Sequence, residues 1–122
     1  MWELTKSFHF EAAHALSGTT LEAIAEEIHG HSFRAEVVIR GTPDPVTGMV
    51  MDLGLLERRI AEVRALLDHK LLNRIEALGI PTLENLTRFI WERVQDAGPV
   101  VRVSVHRDSC GESCSYFGPQ GR

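Results

Sequence analysis

Cysteine is scarce in this sequence. Cys110 and Cys114 are the only two cysteines among 122 residues, too few for the disulfide framework that stabilises many small secreted domains. Long apolar runs are also missing, since none approaches the roughly 20 residues that a membrane-spanning helix needs. Because the N-terminal segment lacks the basic flank and apolar stretch of a signal peptide, we expect a soluble, cytoplasmic protein with no membrane partner.

An excess of positive charge is absent as well. Thirteen Lys and Arg stand against 17 Asp and Glu, so the formal net charge is -4. A chain with this balance has no overall field that attracts phosphate backbones, and we expect no nucleic-acid partner. Its 122 residues, of which 43% are hydrophobic, are enough to bury one modest core. We therefore predict a single domain over residues 1–122.

Period-two alternation of apolar and polar residues marks the strands. It is clear from Trp2 to His14 and from His29 to Arg40, and it recurs from Val101 to Val105. Residues 113–118 can form a short final strand. Two segments instead repeat apolar residues every three or four positions, which predicts amphipathic helices.

The first predicted helix follows Asp52, a plausible N-cap, and runs to Leu67. The second starts near Thr82 and stops at Gly98-Pro99. The expected architecture is α+β, with the order ββααββ and two helices on one face of a four-stranded antiparallel sheet. Such a sheet leaves one face and two edges uncovered, so we expect a homo-oligomer.

His29-Gly30-His31 begins the second predicted strand. Residues two apart on a strand project from the same face, about 7 Å apart, so both imidazoles can reach one metal ion. If the two N-terminal strands pair as a hairpin, His14 lies alongside. Three neutral imidazoles with one open position are typical of catalytic Zn²⁺. The alternative is that all three are ordinary polar residues at strand ends.

Asp68-His69 falls at the end of the first predicted helix. A carboxylate beside an imidazole can orient the ring, which suits general acid/base chemistry. The alternative is a solvated helix terminus. Cys110 and Cys114 are open to three interpretations: half of a metal site, a redox pair, or two inert thiols.

Five short motifs follow one another with compatible spacing. They are Phe10-Glu11-Ala12-Ala13-His14, His29-Gly30-His31-Ser32-Phe33, Gly48-Met49-Val50-Met51-Asp52, Leu67-Asp68-His69-Lys70-Leu71-Leu72-Asn73 and Pro81-Thr82-Leu83-Glu84-Asn85. From about Phe8 to Gly118 the chain resembles, in these motifs, the 6-pyruvoyltetrahydropterin synthase and 6-carboxytetrahydropterin synthase family. The resemblance implies the tunnelling fold, in which sheets of several subunits close into a barrel, and hence a trimer or hexamer.

The resemblance also implies a site. Zinc would be held by His14, His29 and His31, and would bind the hydroxylated side chain of 7,8-dihydroneopterin triphosphate. Asp68 and His69 match a pair that passes protons. A threonine matching Thr82 and a C-terminal carboxylate, here Asp108 in place of the family's glutamate, grip the pterin ring.

One family position departs from the pattern. The synthases carry a catalytic cysteine four residues before the His-Gly-His motif, and that position is Ala25. Glu26 and Glu27 follow it, and Glu26 resembles the glutamate of members that cleave the side chain to 6-hydroxymethyl-dihydropterin. The resemblance thus leaves three functions open: a 6-carboxytetrahydropterin synthase, a folate-type cleavage enzyme that uses Glu26 as its base, or a non-catalytic metal- or pterin-binding protein.

Overall fold

The computed structural model describes residues 1–16 and 27–119. Within these ranges the chain forms five β-strands and two α-helices: β1 (Trp2–His14), β2 (His29–Gly41), α1 (Gly54–Leu67), β3 (Lys70–Leu71), α2 (Leu83–Val94), β4 (Val100–Arg107) and β5 (Glu112–Tyr116). None of the helices in these ranges is long and apolar enough to cross a membrane.

The described strands form one mixed sheet with the order β3-β1-β2-β4-β5. Neighbours pair antiparallel, except that β3 lies parallel to Ala12 and Ala13 of β1. The expected four-stranded antiparallel sheet is therefore wrong, and the chain order is ββαβαββ. A strand of two residues is too short to show period-two alternation, which is why the sequence pattern does not reveal β3.

The hairpin of β1 and β2 positions the site. Its register pairs Trp2 with Gly41 at one end and His14 with His29 at the other, and it places His31 opposite Ala12. Near the histidines the buried positions alternate along both strands, at Phe8, Phe10, Ala12 and His14 of β1 and at Phe33, Ala35 and Val37 of β2. A shift of one residue would move these side chains to the other face. The core-facing alternation therefore fixes which histidines meet at the end of the sheet.

Both helices pack on the face of the sheet that carries the aromatic core. The rings of Phe10 and Phe33 stack there with centroids 4.9 Å apart, and both side chains are 1% exposed. Leu67 of α1 and Phe89 of α2 belong to the same buried cluster. Burying each of these side chains stabilises the fold by about 1.5–3 kcal/mol, so the sheet end that carries the histidines has a rigid support.

One of the two helices has a different N-cap residue from the one that the sequence predicts. α1 has Leu53 as its N-cap residue, not Asp52, although a carboxylate oxygen of Asp52 accepts a hydrogen bond from the Gly54 N–H at 3.0 Å. The predicted N-cap was one residue too early, because the Asp52 carboxylate binds a backbone N–H of the first helical turn without being the N-cap residue. α2 begins as expected after Thr82, whose hydroxyl oxygen accepts from the Asn85 N–H at 3.1 Å.

Candidate functional site

His14, His29 and His31 meet at one end of the sheet, on the face that carries the core. Their ring centroids lie 4.6, 4.7 and 4.9 Å apart. One nitrogen from each ring lies within 4.8 Å of the corresponding nitrogens of the other two. The structure therefore brings together the three side chains that the sequence singled out, and the cluster can hold a metal ion.

The tautomers of His14 and His29 are set by backbone carbonyls. Nδ1 of His14 lies 2.9 Å from the carbonyl oxygen of Pro81, and Nδ1 of His29 lies 2.9 Å from that of Glu27. A carbonyl only accepts, so each Nδ1 carries the proton and each Nε2 keeps a lone pair. The two Nε2 atoms are 3.0 Å apart. Two lone pairs at that distance repel, and a cation between the rings relieves the repulsion.

His31 completes the set. Its Nε2 atom is buried and has no hydrogen-bond partner among the described residues, while its Nδ1 lies 4.0 Å from the sulfur of Cys110. A buried polar atom without a partner is costly in a folded protein. Together with the facing nitrogens of the other two rings, this orphaned atom fits a metal ion that prefers imidazole ligands.

Burial favours the neutral form that a metal requires. His14 is 1% exposed, and the ring of Phe33 lies edge-on to it and to His31, at centroid distances of 6.1 and 5.6 Å. Desolvation is the main cause that lowers the pKa of both His14 and His31, and the positive charge of Arg107 adds to it. Imidazoles that resist protonation keep their lone pairs available at neutral pH.

Asp68 and His69 stand together just after α1, as expected. A carboxylate oxygen of Asp68 lies 3.0 Å from Nδ1 of His69, and another accepts from the Glu11 N–H at 2.9 Å. That backbone N–H is the first cause that lowers the pKa of Asp68, with His69 and Arg64 contributing. The exposed His69 adopts a left-handed backbone with φ of 59°, held by its own N–H donating to Glu11.

An open cavity of about 660 Å³ lies beside both motifs. His31 and His69 line it, along with Glu11, Ser32 and Lys70, whereas His14, His29 and Asp68 are not among its lining residues. A bound molecule in this cavity can therefore contact one histidine from each motif.

Two of the other predicted site residues, Thr82 and Asp108, lie within the part of the chain that the structure describes. Thr82 caps α2 and directly follows Pro81, whose carbonyl holds His14. Asp108 lies in a 3₁₀ turn after β4 and is exposed. Glu26 and Ala25 lie outside the described residues, while Glu27 is exposed.

Two contacts near the site could not be predicted from the sequence. Arg34 of β2 forms a two-pronged ion pair with Asp108, at 2.9 and 3.1 Å. Cys110, from the same turn, contacts His31. Both contacts join residues more than 70 positions apart in the chain, and no local pattern signals them.

Comparisons with known proteins show the family of this chain. The family model described as 6-pyruvoyl tetrahydropterin synthase matches residues 3–119. A 6-carboxy-5,6,7,8-tetrahydropterin synthase of Synechocystis sp. is 36% identical over 126 residues, covering 98% of this chain and 96% of the relative. A putative 6-carboxy-5,6,7,8-tetrahydropterin synthase of Archaeoglobus fulgidus is 41% identical over 109 residues, covering 87% and 90%.

The fold also has a solved counterpart. The structure of Caenorhabditis elegans 6-pyruvoyl tetrahydropterin synthase superposes with a TM-score of 0.81 at 22% identity, covering 96% of this chain and 95% of that one. At this identity the likeness supports the fold alone. With a family model that spans nearly the whole sequence and relatives matched over most of their length, the chain belongs to the 6-pyruvoyl tetrahydropterin synthase family.

Proposed function

We propose that this protein is a zinc-dependent pterin enzyme of the 6-carboxytetrahydropterin synthase type, acting on 7,8-dihydroneopterin triphosphate. The observation that carries the proposal is the convergence of three imidazoles, two of which have their outer nitrogens held by backbone carbonyls at 2.9 Å. The named relatives that match over most of their length support the pterin substrate.

His14, His29 and His31 are the proposed zinc ligands. Zinc bound there would act as a Lewis acid, lowering the cost of deprotonating the hydroxyls and carbons of the substrate side chain. The chain's own contribution is to keep two of the rings neutral and to hold two of them in place. Burial lowers the pKa of His14 and His31, and the carbonyls of Pro81 and Glu27 bind the outer nitrogens of His14 and His29.

His69 is the proposed proton carrier, and Asp68 its positioning residue. Because the Glu11 N–H and its other partners lower the pKa of Asp68, this carboxylate stays ionised at neutral pH and cannot itself deliver a proton. It instead accepts from the Nδ1–H of His69, which leaves Nε2 to exchange protons with a molecule in the cavity that His69 and His31 line.

Thr82 and Asp108 are the proposed contacts to the pterin ring. Asp108 already receives two N–H bonds from Arg34, one on each oxygen, but each carboxylate oxygen can accept a second. The aminopyrimidinone edge of a pterin presents the two N–H groups that such a carboxylate can bind. The hydroxyl of Thr82 accepts from Asn85 and still has its own proton to donate.

A second candidate is cleavage of the side chain to 6-hydroxymethyl-dihydropterin. It is favoured by the loop sequence, which has Ala25 where the synthases have cysteine, followed by Glu26 and Glu27. The Glu27 carbonyl holds the ring of His29, so Glu27 itself contacts a proposed ligand. A carboxylate near the ligands can serve as base once its surroundings raise its pKa towards neutrality.

We further propose a homo-oligomer, a trimer or a pair of trimers. Among the described residues, β5 has a strand on one side only, and β1 pairs on its outer side with the two residues of β3 alone. Long open edges of this kind are usually covered. Sheet pairing between copies would cover them.

Turnover distinguishes the candidates. Zinc-loaded and metal-free protein are incubated with 7,8-dihydroneopterin triphosphate, and the products are separated by chromatography. Zinc-dependent formation of 6-carboxytetrahydropterin, acetaldehyde and triphosphate supports the first proposal. Formation of 6-hydroxymethyl-dihydropterin supports the second. Zinc binding without turnover contradicts both and assigns a metal- or pterin-binding role.

A further inference from the structure

The C-terminal turn brings a thiol to the histidine cluster. Residues Asp108–Cys110 form a 3₁₀ turn between β4 and β5, closed by the Gly111 N–H, which donates to the Asp108 carbonyl at 3.1 Å. Gly111 has a φ of 68°, a left-handed conformation that glycine adopts without strain. The turn thus places the side chain of Cys110 beside β2.

An ion pair fixes this turn to the strand that carries His31. The guanidinium of Arg34 donates to both oxygens of Asp108, at 2.9 and 3.1 Å. Paired, planar contacts of this kind restrict orientation as well as distance. Arg34 lies on β2, the strand that also carries His31, so the turn and that histidine share one support.

The three histidines differ in what holds their outer nitrogen. Backbone carbonyls bind Nδ1 of His14 and of His29, but Nδ1 of His31 has the sulfur of Cys110 as its partner, at 4.0 Å. A distance of 4.0 Å is too long for a hydrogen bond to oxygen, but sulfur has a larger radius and accepts hydrogen bonds at longer distances. Without a partner on Nδ1, His31 is free to place its proton on Nε2, which would block the buried nitrogen that faces the cluster.

We propose that Cys110 is a positioning residue of the metal centre, whose sulfur accepts the Nδ1–H of His31 and keeps Nε2 free to bind the metal. The inference rests on the proposed function, because it assigns His31 as a ligand. Outer partners of metal-bound histidines contribute about 10- to 100-fold to metal affinity. Cys110 is exposed, so removing its sulfur leaves the core unchanged.

The test compares three variants by their affinity for zinc alone. C110A removes the acceptor, and C110S keeps a smaller one. C114A is the matched control, because the sulfur of Cys114 lies 3.8 Å from the Thr87 hydroxyl and, within the part of the chain that the structure describes, forms no hydrogen bond to a histidine. Competition with a chelating indicator gives the dissociation constants, and thermal unfolding of the metal-free proteins checks that each variant folds.

We expect C110A to bind zinc about 10- to 100-fold more weakly than the parent, with C110S in between and C114A equal to the parent. Cobalt substitution adds a second readout, since a turned His31 ring should shift the d–d absorption bands of C110A. Equal zinc affinity and an unchanged cobalt spectrum in C110A would overturn the proposal while leaving the metal centre standing. No zinc binding by the parent would overturn the metal centre itself, and this inference with it.

Discussion

Replacing His29 with alanine is the change that isolates the metal centre. His29 is exposed, and its ring contacts His14 and the Glu27 carbonyl without entering the buried core. His29→Ala should therefore fold as the parent does. It removes the nitrogen that lies 3.0 Å from Nε2 of His14, and with it one of three proposed ligands.

The size of the expected effect follows from the number of ligands. Zinc sites with four protein ligands bind with apparent free energies of about 10–16 kcal/mol, or roughly 2.5–4 kcal/mol per ligand. At about 1.4 kcal/mol per tenfold change, loss of one imidazole weakens binding about 10²- to 10³-fold. Titration against zinc buffered by a chelator, followed by metal analysis of the dialysed protein, measures this directly.

His106→Ala is the matched control. His106 is another histidine of the sheet, partly buried, but its Nε2 lies 2.8 Å from a carboxylate oxygen of Glu36. We expect it to bind zinc like the parent. Parental zinc affinity in His29→Ala would show that His29 is not a ligand, and an equal loss in His106→Ala would show that the effect is not specific to the cluster.

Four further predictions follow. His69→Ala should keep zinc and lower turnover about 10²- to 10⁴-fold; parental kcat would remove the residue from the mechanism. Glu26→Gln should lose turnover by a similar factor and Glu27→Gln should not, if Glu26 is the base; the reverse result reassigns that role, and two parental rates eliminate both. Gly118→Ala should lower the melting temperature, because φ is +95° and the new Cβ would lie 2.8 Å from Cζ2 of Trp91; an unchanged midpoint contradicts the packing. Light scattering at micromolar concentration should give a trimer or hexamer, and a monomeric mass would contradict the proposed assembly.

Sequence alternation, together with an assumed hairpin, predicted where the three histidines meet. Period-two patterns fixed which residues of β1 and β2 face the core, and the hairpin register then set His14 opposite His29. To predict that two residues share one face of a strand and that a third lies opposite them, no contact between distant parts of the chain has to be known. This part of the site therefore follows from local chemistry and one pairing assumption.

The residues that contact the histidine cluster could not be predicted from local sequence patterns. The contact between Cys110 and His31 and the pairing of Arg34 with Asp108 depend on the order of strands in the finished sheet. Short elements such as β3 carry too few residues for a pattern. Whether Asp52 or Leu53 is the N-cap of α1 depends on the local backbone conformation, which the preference of Asp for N-cap positions does not determine.

Anomalous X-ray diffraction at the zinc absorption edge, on crystals of protein purified with zinc, shows directly whether the three histidines hold the metal. We expect one strong anomalous peak per chain, bounded by Nε2 of His14, Nε2 of His29 and Nε2 of His31. Absence of a peak at these three nitrogens in zinc-saturated crystals, or a peak only at other residues, would contradict this expectation.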